Sequence, residues 1–479
     1  MKKACAALLP ILFFCLALFP SCAEKSGSLP RPVYRIEAEL FPETNELSLK
    51  TEILFHIPQD GLSAVKLRVY PNAYGEGKTP VTPEKARAAY PSGENYGGAE
   101  ILSVSSNAGV KDYAVGIEDD TVLTVRLNGK KKKGDEVRLV VEETIRLASI
   151  KHRLGAYGGY YVLSGFYPVL CPFSDGKFRA DPYTPYGDPF LFETSDFSVD
   201  FTAPVGYEAA ASAFPVEKSR QGKKAIFRFS LENARDFALV VSNRFQTAET
   251  EESGVPIRYY YESDKKSADL LKTAANAVRL FQETFGSYPY PSLTIASAPF
   301  CEAGMEFSGL ALLSNELSNA AKKHTAVHEI AHQWWFGKVG FDQFLSPWMD
   351  EGLAEYATAF YYKANGFTSA YRAMIADAEE EFSIYSSIKG AAACGLDAAL
   401  PDLAGGYYEI AYCKSLLFFS SLAEIEGYEK TNAALKEFAD RFESKIASPR
   451  DLIESLSHSM KKDLSGFYDS WRSGALPAP

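Results

Sequence analysis

The five residues His328-Glu329-Ile330-Ala331-His332, with Glu351 inside Trp348-Met349-Asp350-Glu351-Gly352, restrict the possible folds more than any other stretch of the chain. Histidines four residues apart share a face on a helix, where i and i+4 lie one above the other. Their imidazoles can then meet one metal ion, and Glu329, carried round the same helix, reaches water beside it. Glu351 from a second element completes three protein ligands and leaves a fourth position open, as in a catalytic zinc site and unlike a closed structural one. The chain must therefore supply one helix for the histidines and a second element that returns to place Glu351. His is scarce, at 6 of 479 residues, which weighs against an accidental match. His324 lies one turn before His328, too far along the axis to reach the same ion, and reads as a polar residue near the helix start.

The rest of the chain is globular in composition, 46% hydrophobic and 23% charged, enough for two or three domains. A net charge of -11 excludes nucleic acid as an expected partner, because the phosphate backbone would be repelled. The basic run Lys130 to Lys133 follows Asn128-Gly129 between two alternating segments, Val122 to Leu127 and Val137 to Val141, and reads as a solvated hairpin turn. At the N-terminus, Lys2 and Lys3 precede an apolar stretch from Ala4 to Phe19 and then Pro20-Ser21-Cys22-Ala23. This is the layout of an export signal and is short for a membrane-spanning helix. Ser21-Cys22 resembles a bacterial lipobox, although Phe19 and Pro20 depart from its usual residues. Cys22 is thus the expected lipid-bearing first residue of an exported lipoprotein, held at a periplasm-facing membrane or the cell surface. Of the later cysteines, Cys171, Cys301, Cys394 and Cys413 are too few for a disulfide-dense scaffold and read as buried thiols.

Periodicity divides the chain. After the export segment, residues 1–22, residues 30–247 alternate with period two, as in Tyr34 to Leu40, Leu47 to Phe55, Ser198 to Ala203 and Ala225 to Phe229, which predicts an all-β sandwich or curled sheet. The Tyr- and Pro-rich stretch from Gly158 to Pro189 reads as a long loop of the kind that carries function. Thr247 to Gly254 reads as the boundary, and residues 255–479 as a mostly helical catalytic domain. There Leu270, Ala274, Val278, Phe281 and Phe285 share one helical face, stopped by Gly286 and Pro289-Tyr290-Pro291. Short strands follow at Leu293 to Ala298 and Leu310 to Leu313, then the His-bearing helix from Asn319 to Phe336.

Together with Ala303-Gly304-Met305-Glu306 upstream, these motifs resemble the aminopeptidase N-like gluzincins, whose marks are HExxH with a Glu after 18 intervening residues and a GAMEN segment before it. The likeness runs from about Tyr34 to the end and is strongest from Phe281 to Phe419. It takes in Phe285-Gly286, Tyr288-Pro289, His332-Gln333-Trp334 and Glu351-Gly352-Leu353-Ala354. The resemblance implies an α+β multidomain protein whose second part is a thermolysin-like zinc-peptidase domain binding one zinc ion through His328, His332 and Glu351. It implies Glu329 as the general base and Tyr412, in Tyr412-Cys413-Lys414-Ser415, as the donor to the oxyanion, with Tyr407 and Tyr408 as alternatives. Glu306 would bind the free α-amine of a peptide, with Gly304 and Met305 beside it on the substrate-facing strand. Glu355, one turn after Glu351, either orients a ligating imidazole or is a solvated helix charge.

Phe307 and Ala303 stand where the family has Asn and Gly. The chain also ends soon after the catalytic helices, so the expected cleft lacks a C-terminal roof. The expected activity is zinc-dependent removal of N-terminal residues from peptides. A zinc endopeptidase on the same scaffold, and an exported binding lipoprotein with a vestigial site, are the alternatives.

Overall fold

The computed structural model describes residues 29–472 apart from 118, 391–394 and 404, so the export segment with Cys22, and Cys394, lie outside the described residues. The N-terminal half is built on a seven-stranded sheet. Its order is Glu217–Gln221, Lys224–Ala234, Ser195–Pro204, Val33–Phe41, Glu46–His56, Glu136–Arg146 and Gly98–Ser106. Alternation sets its faces: in Val33–Phe41, Tyr34, Ile36, Ala38 and Leu40 are buried while Arg35 and Glu37 are exposed. A four-stranded sheet, Val169–Leu170, Ala64–Arg68, Val122–Leu127 and Val110–Val115, shares the same apolar core. Beside it run the short helix α1 (Pro83–Ala89) and a second four-stranded sheet, Glu208–Ala211, Leu239–Ser242, Tyr160–Leu163 and Leu154–Tyr157.

One expectation fails here. Val122–Leu127 pairs with Ala64–Arg68 and Val110–Val115, whereas Glu136–Arg146 pairs with Glu46–His56 and Gly98–Ser106. The lysine run therefore crosses between two sheets and closes no hairpin, although it is solvated as expected. Alternation tells which face of a strand is buried, but it does not name the strand's partner.

The C-terminal half begins earlier than the change of period suggests. Gln246–Glu252, which overlaps the stretch Thr247 to Gly254 read as the boundary, is a strand paired with Val255–Tyr261, and both join a five-stranded sheet continued by Leu293–Ala298, Leu310–Ser314 and Gly304–Phe307. Leu293–Ala298 and Leu310–Ser314 are parallel and buried throughout, the pattern of a sheet interior. Gly304–Phe307 is the antiparallel edge.

Helix α2 (Ser267–Phe285) buries the predicted stripe and stops at Gly286, whose positive φ of 95° favours glycine. It packs with α3 (Asn319–Ala331), which lies against the two strands nearest the edge. Helix α4 (Pro347–Ala364) crosses α3, and α5 (Thr368–Lys389), α6 (Ser415–Glu426), α7 (Tyr428–Arg441), α8 (Pro449–Met460) and α9 (Ser465–Arg472) complete this half.

Arg235 ties the halves together. Its buried guanidinium donates to the carbonyls of Phe192 at 3.1 Å and Lys445 at 2.8 Å, and to that of Phe336 just beyond the His-bearing helix. No helix among the described residues is long and apolar enough to cross a membrane.

Candidate active site

Helix α3 starts at Ser318, whose hydroxyl accepts from the Ala321 N–H at 3.2 Å, and carries His328 and Glu329 in its last turn. It ends at Ala331, five residues before the expected Phe336, with His332 as its C-cap. The Gln333 side chain then clasps the edge hairpin: its Nε2 donates to the Phe307 carbonyl at 3.2 Å, and its Oε1 accepts from Gly309 N–H at 2.8 Å. The indole of Trp334 donates to the Gly286 carbonyl at 2.8 Å. These bonds break the helix and fix His332, which accounts for the His-Gln-Trp sequence.

Helix α4 brings Glu351 against both imidazoles. His328 Nε2 and His332 Nε2 are 3.1 Å apart, and Glu351 Oε2 lies 3.3 Å from the first and 3.5 Å from the second. All three residues are buried, at 8%, 1% and 2% exposure. On the far side of the rings, His332 Nδ1 meets Asp350 Oδ1 at 2.9 Å and His328 Nδ1 lies 3.0 Å from Glu355 Oε1. With the His332 ring proton directed at Asp350, two Nε2 atoms and a carboxylate oxygen converge in a buried space, an arrangement that suits a cation. The nitrogen–nitrogen–oxygen donor set fits Zn2+. Burial opposes charge on His328, yet Glu351 and Glu355 raise its pKa to about 10, so metal binding exchanges protons for the ion. Despite its burial, Glu351 is held well below the usual carboxylate range by the two histidines.

Glu329 is 4% exposed, and its Oε2 has no hydrogen-bond partner. Burial raises its pKa to about 7 against the pull of both histidines. The edge strand reaches it only because residue 304 is glycine, since a Cβ there would stand 2.3 Å from Glu329 Oε1 and 2.5 Å from Thr325 Cγ2. The close approach expected toward a ligand is thus first an approach to α3. Met305 and Glu306 follow on the same strand and line the cleft, whereas Phe307 is buried in the core. Glu306 Oε1 accepts from Gln343 Nε2 at 3.1 Å, and the same nitrogen donates to Asp350 Oδ2 at 2.5 Å. One chain of contacts therefore links Glu306 to His332. Burial pushes the Glu306 pKa well above the ordinary value.

A turn of π-helix, Tyr408–Lys414, leads into α6. Its repeat places residues five apart on one face, so Tyr407 and Tyr412 both face the site while Tyr408 is 55% exposed. The Tyr412 ring stacks on His328 at 5.9 Å, and the Tyr407 hydroxyl donates to Glu351 Oε1 at 3.3 Å. Ser415, after Tyr412-Cys413-Lys414, lies against Gly352. A Cβ on Gly352 would meet Ser415 Cβ at 2.4 Å, so the small residue after Glu351 lets α4 and α6 close on each other.

These groups open into a cavity of about 940 Å³. Sequence reasoning brought His328, Glu329, His332, Glu351, Glu306, Gly304, Met305, Glu355 and Tyr412 to it, and all of them line it or touch the residues that do. His324 lies one turn away, bonded to Tyr362 through Nδ1 at 3.0 Å. Four further residues were missed. Asp350 and Gln343 were hidden because nothing in their local pattern sets them apart. Asp188 and Arg153 come from the N-terminal half, Asp188 on the Pro- and Tyr-rich stretch read as a functional loop. Arg153 Nη1 bonds Asp188 Oδ1 at 2.5 Å, and burial raises the Asp188 pKa against that guanidinium.

An HExxH helix crossed by a carboxylate-bearing helix, beneath the edge strand of a small sheet, defines a zinc metallopeptidase fold. Residues 270–471 match the peptidase family M1 domain, and this matched segment carries the motifs through which the chain resembles the aminopeptidase N-like gluzincins. It is 22% identical over 345 residues to aminopeptidase N of Lactococcus lactis subsp. lactis, covering 66% of this chain and 40% of that protein. It is 26% identical over 236 residues to aminopeptidase M1-A of Oryza sativa subsp. japonica, covering 46% of this chain and 27% of that one. The chain thus spans less than half the length of either relative. The crystal structure of an M1 zinc metallopeptidase from Deinococcus radiodurans has the same two-part fold, with a TM-score of 0.70 at 16% identity over 94% of this chain and 95% of that one.

Proposed function

We propose that this protein is a zinc-dependent aminopeptidase. The observation that carries the reading is Glu306, a buried carboxylate on the edge strand that lines the same cavity as Glu329 and the three metal-binding side chains. A zinc ion held by His328, His332 and Glu351 supplies a Lewis acid for the scissile carbonyl and lowers the pKa of water beside it. Glu329 takes the proton of the attacking water on its free Oε2 and returns it to the leaving amine. The Tyr412 hydroxyl donates to the oxyanion as it forms, with Tyr407 beside it. Glu306 pairs with the substrate α-ammonium, and Asp188, held by Arg153, adds a second carboxylate to the cavity. An ammonium desolvated there without such partners would be costly, which favours peptides with a free N-terminus.

The test is the ratio of kcat/KM for a matched pair of peptides, free and N-acetylated, in wild type and Glu306→Ala. Truncation should cost the free peptide about 2–5 kcal/mol and spare the acetylated one. A wild-type preference for the acetylated peptide, or a ratio unmoved by the substitution, refutes the aminopeptidase reading and favours an endopeptidase.

The same reading includes export and attachment to a membrane surface through Cys22, supported by the lysines, apolar stretch and Ser21-Cys22 of the N-terminus. Acyl labelling that persists in Cys22→Ala would rule the anchor out.

A further inference from the structure

The seam between the two halves holds a second group of metal-binding side chains that hydrolysis does not use. His152 follows the strand Glu136–Arg146, and Cys301 and Glu302 sit on the loop between Leu293–Ala298 and Gly304–Phe307. One ligand atom from each lies within 4.8 Å of the other two. His152 is 2% exposed, and Cys301 and Glu302 are half-buried. The group is held from several sides. His152 Nδ1 meets the Tyr74 hydroxyl at 2.6 Å, and the ring stacks on Phe300 at 6.3 Å. The Cys301 N–H donates to the Lys151 carbonyl at 3.0 Å, so the loop is tied to the residue preceding His152. Lys85 on α1 pairs with Glu302 Oε2, which leaves Oε1 for another partner. No other cysteine joins a group of this kind among the described residues.

We propose that His152, Cys301 and Glu302 form a second divalent-ion site, distinct from the hydrolytic centre, whose thiolate, imidazole and carboxylate donors suit zinc. Borderline-soft ions of this class take sulfur and nitrogen together, and three protein ligands leave the fourth tetrahedral position to water. Burial, with Arg153 and Lys85 nearby, holds the His152 pKa well below its usual value, so the ring is in the neutral form that ligates. Tyr74 bonds the ring through Nδ1 and so holds its orientation, as a neighbouring hydrogen bond does for a metal-binding imidazole. Burial raises the Cys301 thiol to about 12, so the ion binds by displacing the thiol proton to solvent as the sulfur–metal bond forms. The thiolate and carboxylate charges offset the two nearby cations. The loop that would be clamped runs directly into Gly304, Met305 and Glu306. An ion here fixes the substrate-facing strand against the half that supplies Arg153 and Asp188.

The experiment is cobalt titration of the full-length protein after removal of metal, followed by near-ultraviolet absorption and equilibrium dialysis. The hydrolytic centre offers nitrogen and oxygen donors, so a thiolate-to-cobalt charge-transfer band reports the seam site alone. Wild type should bind two equivalents and develop the band. Cys301→Ser, nearly isosteric, should lose the band and one equivalent, and Glu302→Gln should shift the band's appearance to higher cobalt concentration. One equivalent with no band in wild type overturns the proposal, as does a band that persists unchanged in Cys301→Ser. Because the readout is spectroscopic, the result is independent of whether the hydrolytic centre cleaves any peptide.

Discussion

Gly304→Ala tests how the edge strand and the base are fitted together. The added Cβ would stand 2.3 Å from Glu329 Oε1, where ordinary contact begins at 3.4 Å, so the carboxylate or the strand must move by about 1 Å. Thr325 Cγ2, at 2.5 Å from the same point, blocks the simplest sideways escape. Overpacking of this kind costs about 1–3 kcal/mol of stability. A misplacement of about 1 Å at a reacting group costs on the order of 10²-fold in rate. The expected result is a folded, zinc-loaded protein with kcat down by about 10²-fold and KM changed far less. Thr325→Ser, which removes Cγ2, should restore part of the stability in the double variant. Steady-state kinetics with metal analysis and urea melts make the measurement. A Gly304→Ala protein with wild-type kcat would refute both the packing argument and the placement of Glu329 at the reacting water.

Two further outcomes follow from the same structure. Tyr412→Phe should lower kcat by about 10²-fold or more with substrate binding little changed, and Tyr408→Phe, at an exposed position, should not; a fully active Tyr412→Phe beside an inactive Tyr407→Phe would transfer the role to Tyr407. Glu143 lies 1% exposed opposite Leu49 and Ile101 with neither oxygen bonded, and burial raises its pKa to about 8. The folded form keeps the proton after the unfolded chain has lost it near the ordinary glutamate value of 4.5, so stability falls as pH rises from about 4.5 to 8, by a few kcal/mol in order of magnitude. Glu143→Gln should remove that decline, so thermal melts should show its advantage over wild type growing from pH 5 to pH 8; a constant gap would refute the assignment.

The metal-binding set was legible in the sequence because its geometry is local. Helical period alone puts His328 and His332 on one face and swings Glu329 toward the same space, and Glu351 needed only one further helix. The faces of the strands were legible for the same reason, since alternation is a property of consecutive residues, as in Tyr34, Ile36, Ala38 and Leu40. What the sequence did not determine is whatever depends on hydrogen bonds between distant segments. Strand partners are of this kind: Val122–Leu127 and Glu136–Arg146 look like a hairpin yet belong to different sheets. The end of α3 is another, set at Ala331 by the clasp of Gln333 on the edge hairpin. Tyr407 and Tyr412 would stand about 140° apart at 100° per residue on an α-helix, and only the π-helical turn brings both to the site. Asp188, Arg153, Gln343 and Asp350 carry no local signature. Asp188 and Arg153 became part of the site because the two halves of the chain pack together, and Gln343 and Asp350 through hydrogen bonds that join α4 and the segment before it to His332 and the edge strand, proximities that no periodicity encodes.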